Sequence, residues 1–244
     1  MAKTTPRLHV AEALAEGKEL TLGSEQSHYL AHVLRLGPGD VVRLFNNESG
    51  EVLAYITTVA KKAVNLRCER LVNAVQPPPD IDYVFAPLKH QRLDYLVQKA
   101  TELGARRLQP MITGRTIAER VNLDRMRANV IEAAEQCNLV FVPEVLEPKS
   151  FASLMKKWDQ NRAIIFCDET STSPDPRSAL AKLKPPAAVF VGPEGGFTEE
   201  ERASLKSMPN VAAISLGPRI MRADTAAVAA LALVQATIGD WQAR

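Results

Sequence analysis

Residues Val189 to Phe197 read VFVGPEGGF: an apolar, β-branched run stops at Gly-Pro-Glu-Gly-Gly, and Thr198-Glu199-Glu200-Glu201 follows with the signature of a capped helix start. The chain must turn sharply at the carboxyl end of a strand, which is where open α/β sheets bind ligands. Two adjacent glycines carry no Cβ, so main-chain N–H and C=O groups can come close to a ligand there. A plain strand-to-helix turn accounts for the same residues without one. A second corner follows. Ala212 to Ser215 is strand-like, Leu216 to Arg222 (LGPRIMR) is a loop, and Ala223-Asp224-Thr225 opens an Ala-rich last helix. Two such corners can lie side by side and build one pocket. Taken singly, Asp224 and Thr225 are helix-opening residues and Arg222 is a solvated charge.

Outward from these corners, strand-like runs alternate with helical periodicity. Strands are predicted at 81–87, 107–112, 162–167, 187–191 and 211–215, and helices at 89–103, 122–137, 198–207 and 224–238. That order predicts an α/β unit with a parallel sheet covered by helices. The helix over 89–103 rests on Leu93, Leu96, Val97, Ala100 and Leu103 at helical spacing, with Gly104 as C-terminal cap. Residues 7–72 follow another pattern. Asp40–Phe45 and Glu51–Val59 are β-branched runs joined by the turn residues NNESG, Ala63–Leu71 continues the meander, and a helix from Ser24 through Leu34 is stopped by Gly37-Pro38-Gly39. This is a small β-rich module. Between the two regions stands QPPPD (Gln76 to Asp80), whose prolines can continue neither a central strand nor a helix. The domain boundary is placed there, giving residues 1–75 and 76–244.

The chain has 244 residues, of which 46% are hydrophobic and 24% charged, which excludes disordered and collagen-like classes. Its formal net charge of +2 is too small for indiscriminate polyanion binding. Charge is uneven, however: Lys89 to Val130 holds nine Lys or Arg against four acids, whereas residues 1–79 hold nine against eight. The basic stretch reads equally as a phosphate-contacting surface or as a solvated helical face. Three cysteines, Cys68, Cys137 and Cys167, lie far apart and suggest neither a disulfide framework nor a zinc knuckle, and a reducing cytoplasm fits. The N-terminus lacks an apolar export segment, and the uncharged stretch from Thr225 to Gly239 falls short of the roughly 20 residues that cross a bilayer. No export, no membrane span and no metal are expected.

Common catalytic motifs are missing: no GxGxxG after the first strand, no GxxxxGK[ST], no GxSxG and no HExxH. His28 and His32 have i, i+4 spacing but no nearby carboxylate or Cys, so surface or packing roles outweigh zinc binding. Cys137 reads as a helix-packing thiol.

Several segments in order carry a family resemblance. After the β-rich module come Leu88-Lys89 through Leu93, VQKATELG (Val97 to Gly104), AAEQC (Ala133 to Cys137), VPE (Val142 to Glu144), VGPEGGF (Val191 to Phe197) and LGPRIMRADTA (Leu216 to Ala226). The chain resembles the RsmE family, bacterial 16S ribosomal RNA uracil-N3 methyltransferases. The resemblance implies a SPOUT-type α/β domain whose C-terminal segment forms a trefoil knot, a PUA-like N-terminal β-barrel, and a homodimer that binds S-adenosylmethionine (SAM) and releases S-adenosylhomocysteine (SAH). Transferred to this chain, the cofactor residues are Val191, Gly192, Pro193, Glu194, Gly195 and Gly196 from one loop and Leu216, Gly217, Ile220, Met221 and Arg222 from the other.

The acceptor chemistry constrains the remaining residues. Uracil N3 carries a proton at neutral pH, which must be removed, or the anion stabilised, before the nitrogen can attack. Arg222 is the candidate cation, and Asp224 or Glu194 the candidate base. N3 also lies on the Watson–Crick edge, so the base must be unpaired or flipped out. Arg7, Arg35, Arg43, Lys89, Arg115 and Arg120 are the candidates for contact with 16S ribosomal RNA or the small subunit. Two positions depart from the family: Asp224 stands where Glu is common, and Leu139 where members usually carry Arg. The alternatives are a SPOUT methyltransferase for another RNA nucleotide and a non-catalytic, RNA-binding ribosome-assembly factor, which Leu139 keeps open.

Overall fold

A computed structural model describes residues 5–242 apart from 62, 90, 118–119, 169 and 172–174. The chain divides into two compact units, 1–77 with 134–142, and 78–133 with 143–244. The first crossing falls inside the proline run.

In the first unit, strands β1 (Arg7–His9), β2 (Glu19–Thr21), β3 (Val41–Asn46), β4 (Gly50–Val59) and β5 (Val64–Asn73) form one sheet in the order β1-β3-β4-β5-β2. β3, β4 and β5 are the antiparallel meander expected from the sequence, while β1 runs parallel to β3. The expected helix is α1 (Ser24–His28) followed by a wider π turn, Tyr29–Val33, in which the Leu34 N–H donates to the Tyr29 carbonyl. Leu8, Leu30, Val42, Leu44, Ile56 and Leu66 fill the core.

The second unit alternates as its periodicity predicts. β6 (Ile81–Phe85), α2 (Gln91–Glu102), β7 (Arg107–Ile112), α3 (Leu123–Gln136), β8 (Glu144–Val145), β9 (Lys149–Ser150), α4 (Phe151–Lys156), β10 (Ala163–Cys167), α5 (Pro176–Leu180), β11 (Ala187–Val191), α6 (Glu199–Ser207), β12 (Val211–Ile214) and α7 (Ala223–Ile238) follow in order. The sequence assigned nothing to β8, β9, α4 and α5, which are too short to show a period. Among the described residues the strands form a parallel sheet ordered β12-β10-β11-β6-β7-β8, with β9 also on β7. Every residue of β6 and β11 is buried, which is why these strands read as near-continuous apolar runs.

That strand order sets the site. β11 and β12 are not neighbours; β10 lies between β11 and β12. The corners that follow β11 and β12 therefore meet over the carboxyl end of β10. At the opposite edge, Arg107 donates to both oxygens of Asp82 at 2.8 Å, and Arg162 pairs with Asp80 at 3.0 Å. This second charge cluster closes the amino ends of the strands.

Candidate active site

The two corners enclose a cavity of about 270 Å³. Of the cofactor residues expected from sequence, Val191 to Gly196, Leu216, Gly217, Ile220 and Met221 all line it. Gly196 (φ 69°) and Gly217 (φ 109°) hold left-handed backbone, one in each corner, so each turn depends on a residue without Cβ. A Cβ on Gly192 would stand 3.0 Å from the buried Phe197 ring. Thr198 and Glu201 cap α6 reciprocally, at 3.2 and 2.9 Å, and so fix where the first corner ends. The loop after β7 braces the same corner: the Gly114 N–H donates to Glu201 at 2.8 Å, and Arg115 Nη1 donates to the Gly195 carbonyl at 2.7 Å.

Arg222 is absent from this lining. It is the N-cap residue of α7, is exposed, and makes no side-chain capping bond. The cation that faces the two candidate carboxylates is Arg92, near the start of α2. Its Nε and Nη2 donate to the two oxygens of Asp224 at 2.9 and 3.1 Å, and its Nη1 donates to Glu194 Oε1. The Arg92 guanidinium, helped by the Thr225 N–H, holds the Asp224 carboxyl below the ordinary range. Arg92 had one sequence signal: a cation in the first turn of a helix opposes the dipole and calls for an anionic partner.

Cys167 and Asp168, at the end of β10, form part of the cavity wall. Burial pushes the Cys167 thiol up to about 12. Burial opposes ionisation of Asp168, but hydrogen bonds from Thr170 and Lys206 outweigh it and keep the carboxyl below its usual range. Neither residue was among the sequence candidates; both end an apolar strand with no local pattern to mark them.

The RNA methyltransferase domain family matches residues 76–235, and the RNA methyltransferase PUA domain family matches 22–68. A ribosomal RNA small subunit methyltransferase E of Rickettsia conorii is 32% identical over 232 residues, covering 94% of each chain. The chain belongs to that family. A methyltransferase E of Bacillus subtilis is 28% identical over 91% of this chain and 92% of its own. Among solved structures, a methyltransferase E of Neisseria gonorrhoeae bound to SAM superposes with a TM-score of 0.85 at 26% identity, covering 98% of this chain and 100% of that one. A putative methyltransferase of Legionella pneumophila with bound SAM gives 0.84 at 28%, covering 97% and 99%. The mixed α/β fold with its parallel sheet and PUA domain is thus the fold of methyltransferase E proteins.

Seen as a member of that family, the chain scatters the six basic candidates among different roles. Arg7 is buried in the first unit and is a structural residue: its guanidinium donates to Glu51 at 2.5 Å and to the carbonyls of Ala134, Glu135 and Leu139 at 2.9 to 3.0 Å. Those bonds use four of its five donors. Arg43 stands 3.6 Å from the same Glu51. Arg35 is exposed at a left-handed position (φ 56°). Arg115 is engaged with the glycine corner as above. Lys89 and Arg120 are exposed and line one groove of about 770 Å³, floored by Leu88, Leu93 and Met126. At the departing position, the Leu139 main chain serves as an acceptor for Arg7. Among the described residues no cluster of three or more His, Cys, Asp or Glu could hold a metal.

Proposed function

We propose that this chain is a SAM-dependent methyltransferase that modifies N3 of a uridine in 16S ribosomal RNA of the small subunit. The observation that carries the reading is the single cavity that two glycine corners enclose at the carboxyl ends of β10, β11 and β12, in a fold shared with relatives crystallised with SAM. The cavity fits such a cofactor. Its lining includes Gly192, Gly195, Gly196 and Gly217, whose lack of side chains lets an adenine and ribose approach the main chain, and it is apolar at Val191, Ile214 and Leu216. When bound, SAM supplies a methyl group on a positively charged sulfur, so the protein need only align the acceptor and exclude water.

The chain's own residues supply the rest. Arg92 sets the charge balance beside the cavity, and Glu194 is a carboxylate that lines it. Lys89, Arg120, Arg35 and Arg43 are the RNA contacts that remain open in this reading; Arg115 serves the corner. Residues 1–75 act as a PUA-like β-barrel that holds RNA, and residues 76–244 as the SPOUT methyltransferase domain, with the C-terminal segment threaded as a trefoil knot. The enzyme works as a cytoplasmic homodimer; no described helix is long and apolar enough to cross a membrane.

Two measurements test this. Calorimetric titration with SAM should give saturable heat, and its absence would reject the enzyme reading in favour of an assembly factor. Mass analysis of nuclease-digested 16S RNA from a deletion strain should show one N3-methyluridine lost; an unchanged set of modified uridines would reject the substrate.

A further inference from the structure

Three charged side chains from distant parts of the chain converge beside the cavity. Arg92 of α2 holds Asp224 of α7 through two bonds and Glu194 of the first corner through one. The two carboxylates are not equivalent. The Asp224 side chain is 17% exposed and is absent from the cavity lining, whereas that of Glu194 is 44% exposed and lines it. Asp224 is also tied to the Thr225 N–H at 2.9 Å.

We propose that Arg92 is a positioning residue for methyl transfer, anchored on Asp224 and holding the Glu194 carboxylate where it can take the N3 proton of the acceptor base. This rests on the function proposed above. With all three groups ionised the cluster carries a net charge of −1, which repels a uracil anion unless one carboxylate takes up a proton. Proton uptake by Glu194 brings the cluster to neutrality and leaves the Arg92–Asp224 pair intact. The N3–H bond breaks with its proton on Glu194 and its electron pair on N3; that pair forms the bond to the methyl carbon as the methyl–sulfur bond of SAM breaks, its electrons staying on sulfur and neutral SAH leaving. A single-point hold suits a group that must release its oxygen to a substrate; the two-point hold on Asp224 suits an anchor.

The test is a double-mutant cycle on the single-turnover rate of methyl transfer to 16S RNA, using the full chain, with SAH affinity by calorimetry as a second readout. Arg92→Met should lower the rate 10- to 100-fold and change SAH affinity less than threefold. Arg92→Lys, which keeps the charge but cannot hold both carboxylates as a fork, should recover part of the rate. On a Glu194→Gln background, Arg92→Met should cost less than twofold more, because both changes disable one proton transfer. Equal losses on both backgrounds, or a rate loss matched by lost SAH binding, would overturn the proposal. If Arg92→Met does not fold, Arg92→Lys carries the same cycle. No transfer by the wild-type protein would reject the functional reading itself, so the two failures are distinguishable.

Discussion

Replacing Arg7 with Met separates a structural arginine from an RNA-binding one. Arg7 and Glu51 are 6% and 2% exposed in their side chains and 2.5 Å apart, and the guanidinium lies 4.5 Å above the Phe45 ring. Met preserves most of the apolar stem that packs there, so the loss is electrostatic. Removing one partner of a buried pair costs about 3–5 kcal/mol, because the other charge stays buried; here Glu51 would keep only Asn73 and the more distant Arg43. The carbonyls of Ala134 and Glu135, in the last turn of α3, lose their donor as well. With a urea dependence of about 2 kcal/mol per molar, the midpoint of unfolding followed by circular dichroism should fall by about 1.5–2.5 M. Arg7→Met/Glu51→Met should regain part of that loss, since the buried carboxylate is removed and Arg43, which also faces it, is exposed enough to be solvated. RNA affinity gives the contrasting readout. A phosphate contact on single-stranded RNA contributes about 0.7 to the slope of log affinity against log salt. Arg7→Met should leave the slope unchanged, whereas Lys89→Ala and Arg120→Ala should each reduce it. A midpoint shift below about 0.5 M combined with a reduced slope would refute the structural assignment.

Further outcomes follow from the same geometry. Because Arg92 lowers the Asp224 carboxyl in the folded state, the pair contributes stability that is complete above the ordinary Asp range near about 3.9 and is lost as pH falls through the depressed value. The wild-type advantage in melting temperature over Arg92→Met should accordingly be present at pH 7 and vanish in strong acid; an advantage independent of pH would rule the linkage out. With its thiol near 12 against an ordinary value of 9.0, native Cys167 should react with iodoacetamide at pH 8 about 1,000-fold more slowly than an unperturbed thiol, while exposed Cys137 is labelled first. Peptide mass analysis showing equal labelling would contradict this. Gly196→Ala and Gly217→Ala each place a Cβ on left-handed backbone, at about 1–2 kcal/mol. SAH affinity should fall at least tenfold, and calorimetry that finds it unchanged would show that the corners do not hold the cofactor.

The parts of the fold that were legible in the sequence are those in which local pattern and burial agree. β6 and β11 are buried on both faces; the apolar run of β11 marks both of its ends, while that of β6 marks its start and continues as buried loop for two residues past Phe85. The glycine corners were legible for a related reason, because left-handed backbone demands a residue type that can be read directly. Pairings across the chain were not legible. Arg92 and Asp224 are 132 residues apart and Arg92 and Glu194 102, and no periodicity links them. Arg222 was the nearer cation in sequence, but extended N-cap geometry leaves it exposed outside the cavity. The return of residues 134–142 to the first unit is equally non-local. It depends on Arg7 and Glu135, whose carboxylate accepts the His9 N–H at 2.9 Å, and neither residue stands out from a solvated charge by its type.

The chemistry available at the cavity is narrower than its lining suggests. The described titratable groups that line it are Cys167, Asp168, Glu194 and Arg219. A thiol held near 12 is almost wholly protonated at neutral pH, so a nucleophile that would otherwise compete for an activated methyl group is kept neutral. Asp168 is ionised, but Thr170, Arg202 and Lys206 surround it, and a carboxylate stabilised that way is a poor proton acceptor. Arg219 carries a fixed positive charge. Glu194 is left as the half-exposed carboxylate of the lining, and Arg92 holds one of its oxygens. The glycine corner thus also carries the one acidic side chain of GPEGG on the cavity wall. On the proposed role, Glu194→Gln should lower the rate of methyl transfer while SAH binding persists, and calorimetry that finds SAH binding lost with the rate would count against it.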